Sequence, residues 1–280
     1  MTIDAHHHLW QYNSAEFGWI DDSMASLRRD FLPEDLTRAL ASADIDAAIA
    51  VQARCSLLET DFLLSCATHS TNIIGVVGWA PLGSPGVGPI LDRLLLNPKF
   101  VGVREITQGL PRGFFDDAAF SAGIRELTAR DLSYDILVYP NQLEEVIRFV
   151  HRHPRQRFIL DHAAKPPIAS QRLEPWRTQI LALAQCPNVS CKLSGLVTEA
   201  DWRSWNLQSL KPYLDVCVEA FTSHRLLAGS DWPVCLVAGN YTQWWRTLRE
   251  YFEPFTAQER SSVFGHNAWN IYQLSQRATG

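Results

Sequence analysis

No run of this chain approaches the ~20 consecutive apolar residues of a membrane span, so a membrane-spanning protein is not expected. No block of basic residues occurs, and the formal net charge is -5, which argues against nucleic acid or an anionic membrane as partner. The start lacks the charged segment, apolar run and small-residue site of a secretory signal. There is no CxxC pair. Cys55, Cys66, Cys186, Cys191, Cys217 and Cys235 are scattered, and they read as reduced packing residues of a cytoplasmic protein. No glycine-rich GxGxxG loop follows the first apolar strand, which weakens a nucleotide-binding open sheet. No low-complexity segment, domain linker or short internal repeat interrupts the chain.

What is present is a large apolar content, 46% of 280 residues, enough to bury a sizeable core. Ten tryptophans suit a site that binds the apolar face of a ring. Eight strand-like runs begin near Thr2, Asp46, Ile73, Phe100, Ser133, Arg157, Val189 and Arg225. Several are apolar throughout, as strands buried on both faces are. Helical patterns fill the intervals, for example Leu143, Val146, Ile147 and Val150 on one face. Alternating strands and helices predict a parallel sheet, and eight such units predict an α/β fold of the (β/α)8 type, one TIM-type barrel domain over residues 1–280. A doubly wound open sheet is the alternative. The long loop from Trp10 to Phe31 is expected to act as a lid.

A barrel of this kind carries its site at the C-terminal ends of its strands. Those ends present His6 and His8, Gln52 and Arg54, Trp79, Arg104 and Glu105, Tyr139, Asp161 and His162, Lys192 and Ser194, and Asp231 followed by Trp232. His6 and His8 share a strand face by alternation, with His7 on the other. Three imidazoles and a carboxylate around one cavity suggest hydrolysis. His6, His8 and His162 would polarise a carbonyl, directly or through one divalent ion such as zinc held with Asp231. Asp231 would take a proton from the attacking water and return it to the leaving oxygen. Arg104 and Lys192 would hold polar substituents, and Tyr139, Trp79 and Trp232 would line the ring pocket. Asp161 reads as structural, Lys165 as a surface charge of a loop, and Arg104 and Glu105 as either a mutual ion pair or independent groups. The remaining histidines, His7 among them, read as solvated or structural.

Three motifs together carry a family likeness. The opening Asp4-Ala-His6-His-His8-Leu-Trp10 resembles the HxH strand of the amidohydrolase superfamily. Leu160-Asp-His162-Ala-Ala-Lys-Pro166 and Gly229-Ser-Asp231-Trp-Pro233 resemble motifs of its lactonase branch, as do Phe100-Val-Gly-Val-Arg104 and Phe264-Gly-His-Asn-Ala-Trp-Asn-Ile-Tyr272. The resemblance implies a distorted (β/α)8 barrel and a lactonase with His6, His8, His162 and Asp231 at its catalytic core. It also implies one metal at most. The two-metal members place a bridging lysine or acid on strand four and a histidine on strand five, where this chain offers Arg104-Glu105 and Tyr139. Branch members differ in whether a metal is needed, so a metal-independent enzyme stays open. A neutral sugar lactone is the expected small-molecule partner, L-fuconolactone or a close aldonolactone first, because the strand ends lack the dense arginines an acidic ring would need. A metal-dependent decarboxylase of the same superfamily is the alternative chemistry, and a barrel that binds a sugar acid without turnover is the non-enzymatic one. The oligomeric state is not legible.

Overall fold

The computed structural model describes residues 1–277. Eight parallel strands are hydrogen-bonded in sequence order: β1 (Ile3–His7), β2 (Ala47–Val51), β3 (Ile73–Gly78), β4 (Phe100–Ile106), β5 (Ser133–Leu137), β6 (Phe158–Leu160), β7 (Val189–Leu193) and β8 (Leu226–Ala228). Between them run α1 (Pro33–Ser42), α2 (Leu57–Thr68), α3 (Val87–Leu94), α4 (Ala118–Ala129), α5 (Leu143–Arg152), α6 (Trp176–Leu183), α7 (Leu207–Phe221) and, after β8, α8 (Tyr241–Phe252). This is the expected barrel, and the open-sheet alternative falls. None of these helices is long and apolar enough to cross a membrane.

Local chemistry sets the helix starts. Pro33 opens α1 with Glu34 and Asp35 in its first turn, and Asp35 Oδ2 accepts from the Leu32 amide at 3.1 Å. Asp117 caps α4 by accepting from the Phe120 amide at 2.7 Å, and Asn240 caps α8 by accepting from Gln243. The buried sides of these helices and the outward faces of the strands form one large apolar shell.

A smaller apolar cluster fills the barrel interior. Ile3, Ala5, Ile49, Val51, Val77, Val101, Ile159 and Leu227 meet Ala268, Tyr272 and Leu274, which plug the end opposite the site. Ile3 and Ala5 therefore point inward, and strict alternation would turn His6 and His8 outward. The register slips by one residue between Asp4 and His7. That bulge turns His6 and His8 into the interior and leaves His7 on the other face.

The seam between β8 and β1 is closed by the loop after β8. The Asp231 amide donates to the His6 carbonyl at 2.8 Å, and the His8 amide donates to the Trp232 carbonyl at 2.7 Å. Below them the buried Asp4 carboxylate accepts from the Ser230 amide at 2.8 Å, from Ser230 Oγ at 2.5 Å and from the Tyr241 hydroxyl at 3.0 Å. Burial raises the Asp4 carboxyl to about 6 although these donors oppose the shift.

Candidate active site

The bulged β1 and the loops after β6 and β8 bring four side chains to one point. His6 Nε2 and His8 Nε2 lie 3.3 Å apart. His8 Nε2 is 3.2 Å from Asp231 Oδ1, His6 Nε2 is 3.7 Å from it, and His162 Nε2 is 3.8 Å from it. All four residues are at least 95% buried.

The tautomer of His8 follows from its other nitrogen. Nδ1 lies 2.8 Å from the Val51 carbonyl, which can only accept, so Nδ1 carries the proton. Neutral His8 then aims a lone pair from Nε2 at the Asp231 carboxylate. Two lone pairs do not face each other at 3.2 Å without a positive charge between them. A shared proton or a metal ion meets that need. His6 Nε2, His8 Nε2 and Asp231 Oδ1 form a donor set suited to a divalent cation such as zinc. A second group, His6, Asp161 and His162, is less free, because Asp161 is already engaged by two cations.

Those cations lie inside the barrel, beneath the histidines. Asp161 accepts from Arg104 at 2.8 Å and is ion-paired with Lys192 at 3.0 Å. Lys192 Nζ is 2.6 Å from Asp135 Oδ2 and 3.1 Å from His6 Nδ1. Asp135 also accepts from the Tyr272 hydroxyl at 2.7 Å, which ties this layer to the plug. Two cations and two carboxylates thus balance in the buried interior, the condition under which buried charges are tolerated. Arg104 also donates to the Gln52 carbonyl, and Gln52 donates to the Arg104 carbonyl at 3.0 Å.

The electrostatics follow from the same geometry. Burial and the neighbouring Lys192 ammonium hold His6 well below the usual imidazole range, so it is neutral. Burial likewise lowers His162 to about 4, against the pull of Asp231 and Asp161. Asp231 is desolvated, which works against ionisation, but His162, His8 and His6 together outweigh that and hold its carboxyl below the ordinary carboxylate range.

His162 owes its position to an unusual backbone. His162, Ala163, Ala164 and Lys165 all have φ between +48° and +58°, four consecutive non-glycine residues in the left-handed region. Such a turn is held by its surroundings. Trp176 Nε1 donates to the Ala163 carbonyl at 2.7 Å, and Ser194 Oγ lies 2.9 Å from His162 Nδ1. Gly195, at φ +63°, backs the imidazole so closely that a Cβ there would lie 2.5 Å from His162 Nδ1.

Above these groups opens a cavity of about 380 Å³ lined by His8, His162, Asp231, Arg104 and Tyr139 together with Trp19, Met24, Gln108, Lys165, Glu199 and Trp202. The Trp10–Phe31 loop does overhang it. Reciprocal backbone bonds between Trp10 and Phe31 pin the loop's two ends, and Trp19 and Met24 project from it over the cavity.

Three expected cavity residues lie elsewhere. Lys192 is fully buried beneath His6 and its ammonium is taken by Asp135 and Asp161, so it faces the barrel interior. Trp79 donates from Nε1 to Glu105 Oε2 at 2.8 Å and lines a neighbouring cleft with Pro81 and Phe114. Trp232 is buried, its ring edge-on to Phe31. Arg104 and Glu105 do not pair: Arg104 turns inward to Asp161, and Glu105 turns to Trp79 and Cys55 Sγ. Lys165 is no loop surface charge. It lines the cavity and lies 3.2 Å from Glu199 Oε1. His7 takes the structural one of its two expected roles: it is buried, and burial lowers it to about 3. Trp202, Gln108 and Glu199 carry no motif signal in the sequence, and Lys165 had only its place in the DHxxKP run.

A parallel barrel with imidazoles and a carboxylate converging at its strand ends has the layout of a barrel enzyme. The chain belongs to the amidohydrolase family, whose model matches residues 3–274. It is 39% identical over 290 aligned residues to an L-fucono-1,5-lactonase of Burkholderia multivorans, covering 99% of this chain and 98% of that one. It is 37% identical to an L-fucono-1,5-lactonase of Burkholderia ambifaria, covering 98% and 96%. A crystal structure of an amidohydrolase from Burkholderia multivorans with bound zinc superposes with a TM-score of 0.93 at 39% identity, over 98% of this chain and 99% of that one.

Proposed function

We propose that the protein hydrolyses the ring ester of a neutral sugar lactone, L-fucono-1,5-lactone or a close aldonolactone, to the sugar acid. The two lactonase relatives, matched nearly end to end, support the substrate class. The observation that carries the chemistry is the Asp231 carboxylate set among three imidazoles at one end of the cavity.

The substrate carbonyl enters against His162 and the Arg104 guanidinium, and the sugar ring extends toward Trp19, Tyr139 and Trp202. Asp231, ionised at neutral pH, accepts a proton from water as the water oxygen bonds to the carbonyl carbon. The ring C–O bond then breaks, and Asp231 returns the proton to the departing ring oxygen. His162 donates a hydrogen bond from Nε2 to the oxygen on which negative charge develops. Arg104, fixed by Asp161 and Gln52, adds a positive charge at the same end. His6, His8 and Asp231 are the residues that would hold one divalent ion such as zinc, which would supply Lewis-acid polarisation when bound. The relative with zinc supports that assignment.

The test is acid release from a panel of aldonolactones, followed with a pH indicator, before and after chelation and zinc re-addition. Fast release on one sugar stereochemistry is the expected result. No release on any lactone, with carbon dioxide released from a hydroxylated aromatic acid, would replace this reading with decarboxylation.

A further inference from the structure

We propose that Lys165 and Glu199 form the element that selects a polyhydroxylated ring; this rests on the lactonase reading above. The pair lies on the wall of the cavity that His8, His162 and Asp231 also line. Lys165 Nζ is 3.2 Å from Glu199 Oε1 and 5.8 Å from the Tyr139 ring centre. Both side chains keep hydrogen-bonding capacity. Among the described contacts the ammonium uses one of three donors and the carboxylate one of two oxygens. A carboxylate oxygen beside an ammonium offers an acceptor and a donor side by side, which matches two neighbouring hydroxyls, each able to give and take one hydrogen bond. The pair is neutral overall, so it gives no net attraction for an anionic ring substituent.

The backbone on both sides is built to hold this pair. Lys165 closes the left-handed turn that begins at His162, so the turn that places the imidazole also places the ammonium. Glu199 ends the short turn Leu196–Glu199, which starts at Gly195 against the His162 ring. Thr198 Oγ1 donates to the Gly195 carbonyl at 2.6 Å, and Trp202 Nε1 donates to the Thr198 carbonyl at 2.9 Å. An ordinary surface ion pair has no need of such support. Gln108 adds a third group, since its Oε1 is buried, lines the same cavity and has no partner among the described residues. Trp19 and Trp202 supply apolar faces for the ring carbons between these polar groups.

The experiment compares Glu199→Gln and Lys165→Met with the wild type on two substrates: the aldono-1,5-lactone the wild type opens fastest, and an unsubstituted δ-lactone of the same ring size. The quantity read is the ratio of kcat/KM for the hydroxylated over the unsubstituted ring. Loss of a hydrogen bond to a charged group predicts that each variant lowers the ratio about 10- to 100-fold, mainly through KM for the hydroxylated lactone. Melting temperature and zinc content confirm that each variant is folded with an intact histidine site. Ratios unchanged in two folded variants would overturn the inference while leaving the lactonase reading in place. A wild type inactive on every lactone would overturn both.

Discussion

Replacing Gly195 by alanine tests whether the position of His162 is built into the backbone behind it. Two costs follow from the geometry. The first is conformational: an alanine at φ +63° costs about 1–2 kcal/mol relative to glycine. The second falls on the site. The new Cβ would lie 2.5 Å from His162 Nδ1 and 2.8 Å from Cγ, whereas a comfortable contact needs about 3.5 Å. The imidazole must retreat by roughly 1 Å, which stretches its 2.9 Å contact with Ser194 Oγ. A misplacement of that size in a catalytic group costs on the order of 100-fold in rate. Acid release from the preferred lactone should therefore fall about 100-fold in kcat/KM. The melting temperature should drop by only about 4–8 °C, as 2 kcal/mol does in a chain of this size. A variant with that melting shift and a rate within about threefold of wild type would refute the reasoning, because Gly195 would then serve the turn alone.

Asp231→Asn keeps the side-chain shape and removes the proton acceptor, so kcat should fall by about 10²–10⁴-fold; single-turnover acid release reads it, and a loss under tenfold would remove Asp231 from the base role. Lys192→Met leaves Asp135 and Asp161 facing Arg104 alone in the buried interior, and urea unfolding should show a loss of about 3–5 kcal/mol. Unchanged stability would mean that these carboxylates are not charged in the folded state. Glu59 is buried, and burial raises its carboxyl from 4.5 to about 7 despite bonds from the Ala53 amide and Arg54. Its folded pKa is therefore above the unfolded one, so the folded state holds the proton longer and stability declines as pH rises from the unfolded toward the folded value. Glu59→Gln removes that decline. Between pH 4.5 and pH 8 the variant should gain on wild type by an amount on the order of 3 kcal/mol, measured by denaturant unfolding at each pH, and a pH-independent difference would count against it.

The strands were legible because each is a short apolar run between breakers, and parallel order followed from their alternation with helices. The convergence of His6, His8, His162 and Asp231 was legible because barrel strands end at one face. The sequence could not show which way β1 faces. Alternation pairs His6 with His8, but the one-residue slip between Asp4 and His7 decides that the pair points inward. Depth along the barrel axis was equally hidden. Lys192 precedes the end of β7 by one residue and so lies beneath the cavity floor, while Trp79 follows β3 and turns to the neighbouring cleft. Lys165 reads as a loop charge from sequence because no propensity favours four consecutive left-handed residues without glycine; the packing around Trp176 and Ser194 sustains them.

The contact between His8 and Asp231 joins residues 223 positions apart. During synthesis at ~5–20 residues per second, Asp231 emerges roughly 10–45 seconds after His8. For that interval the nascent chain carries His6 and His8 without the Asp231 carboxylate that faces their Nε2 atoms and without a last strand to close the seam. The four groups therefore cannot meet until the loop after β8 has been made, and the step that closes the barrel seam is the same step that brings Asp231 to the histidines.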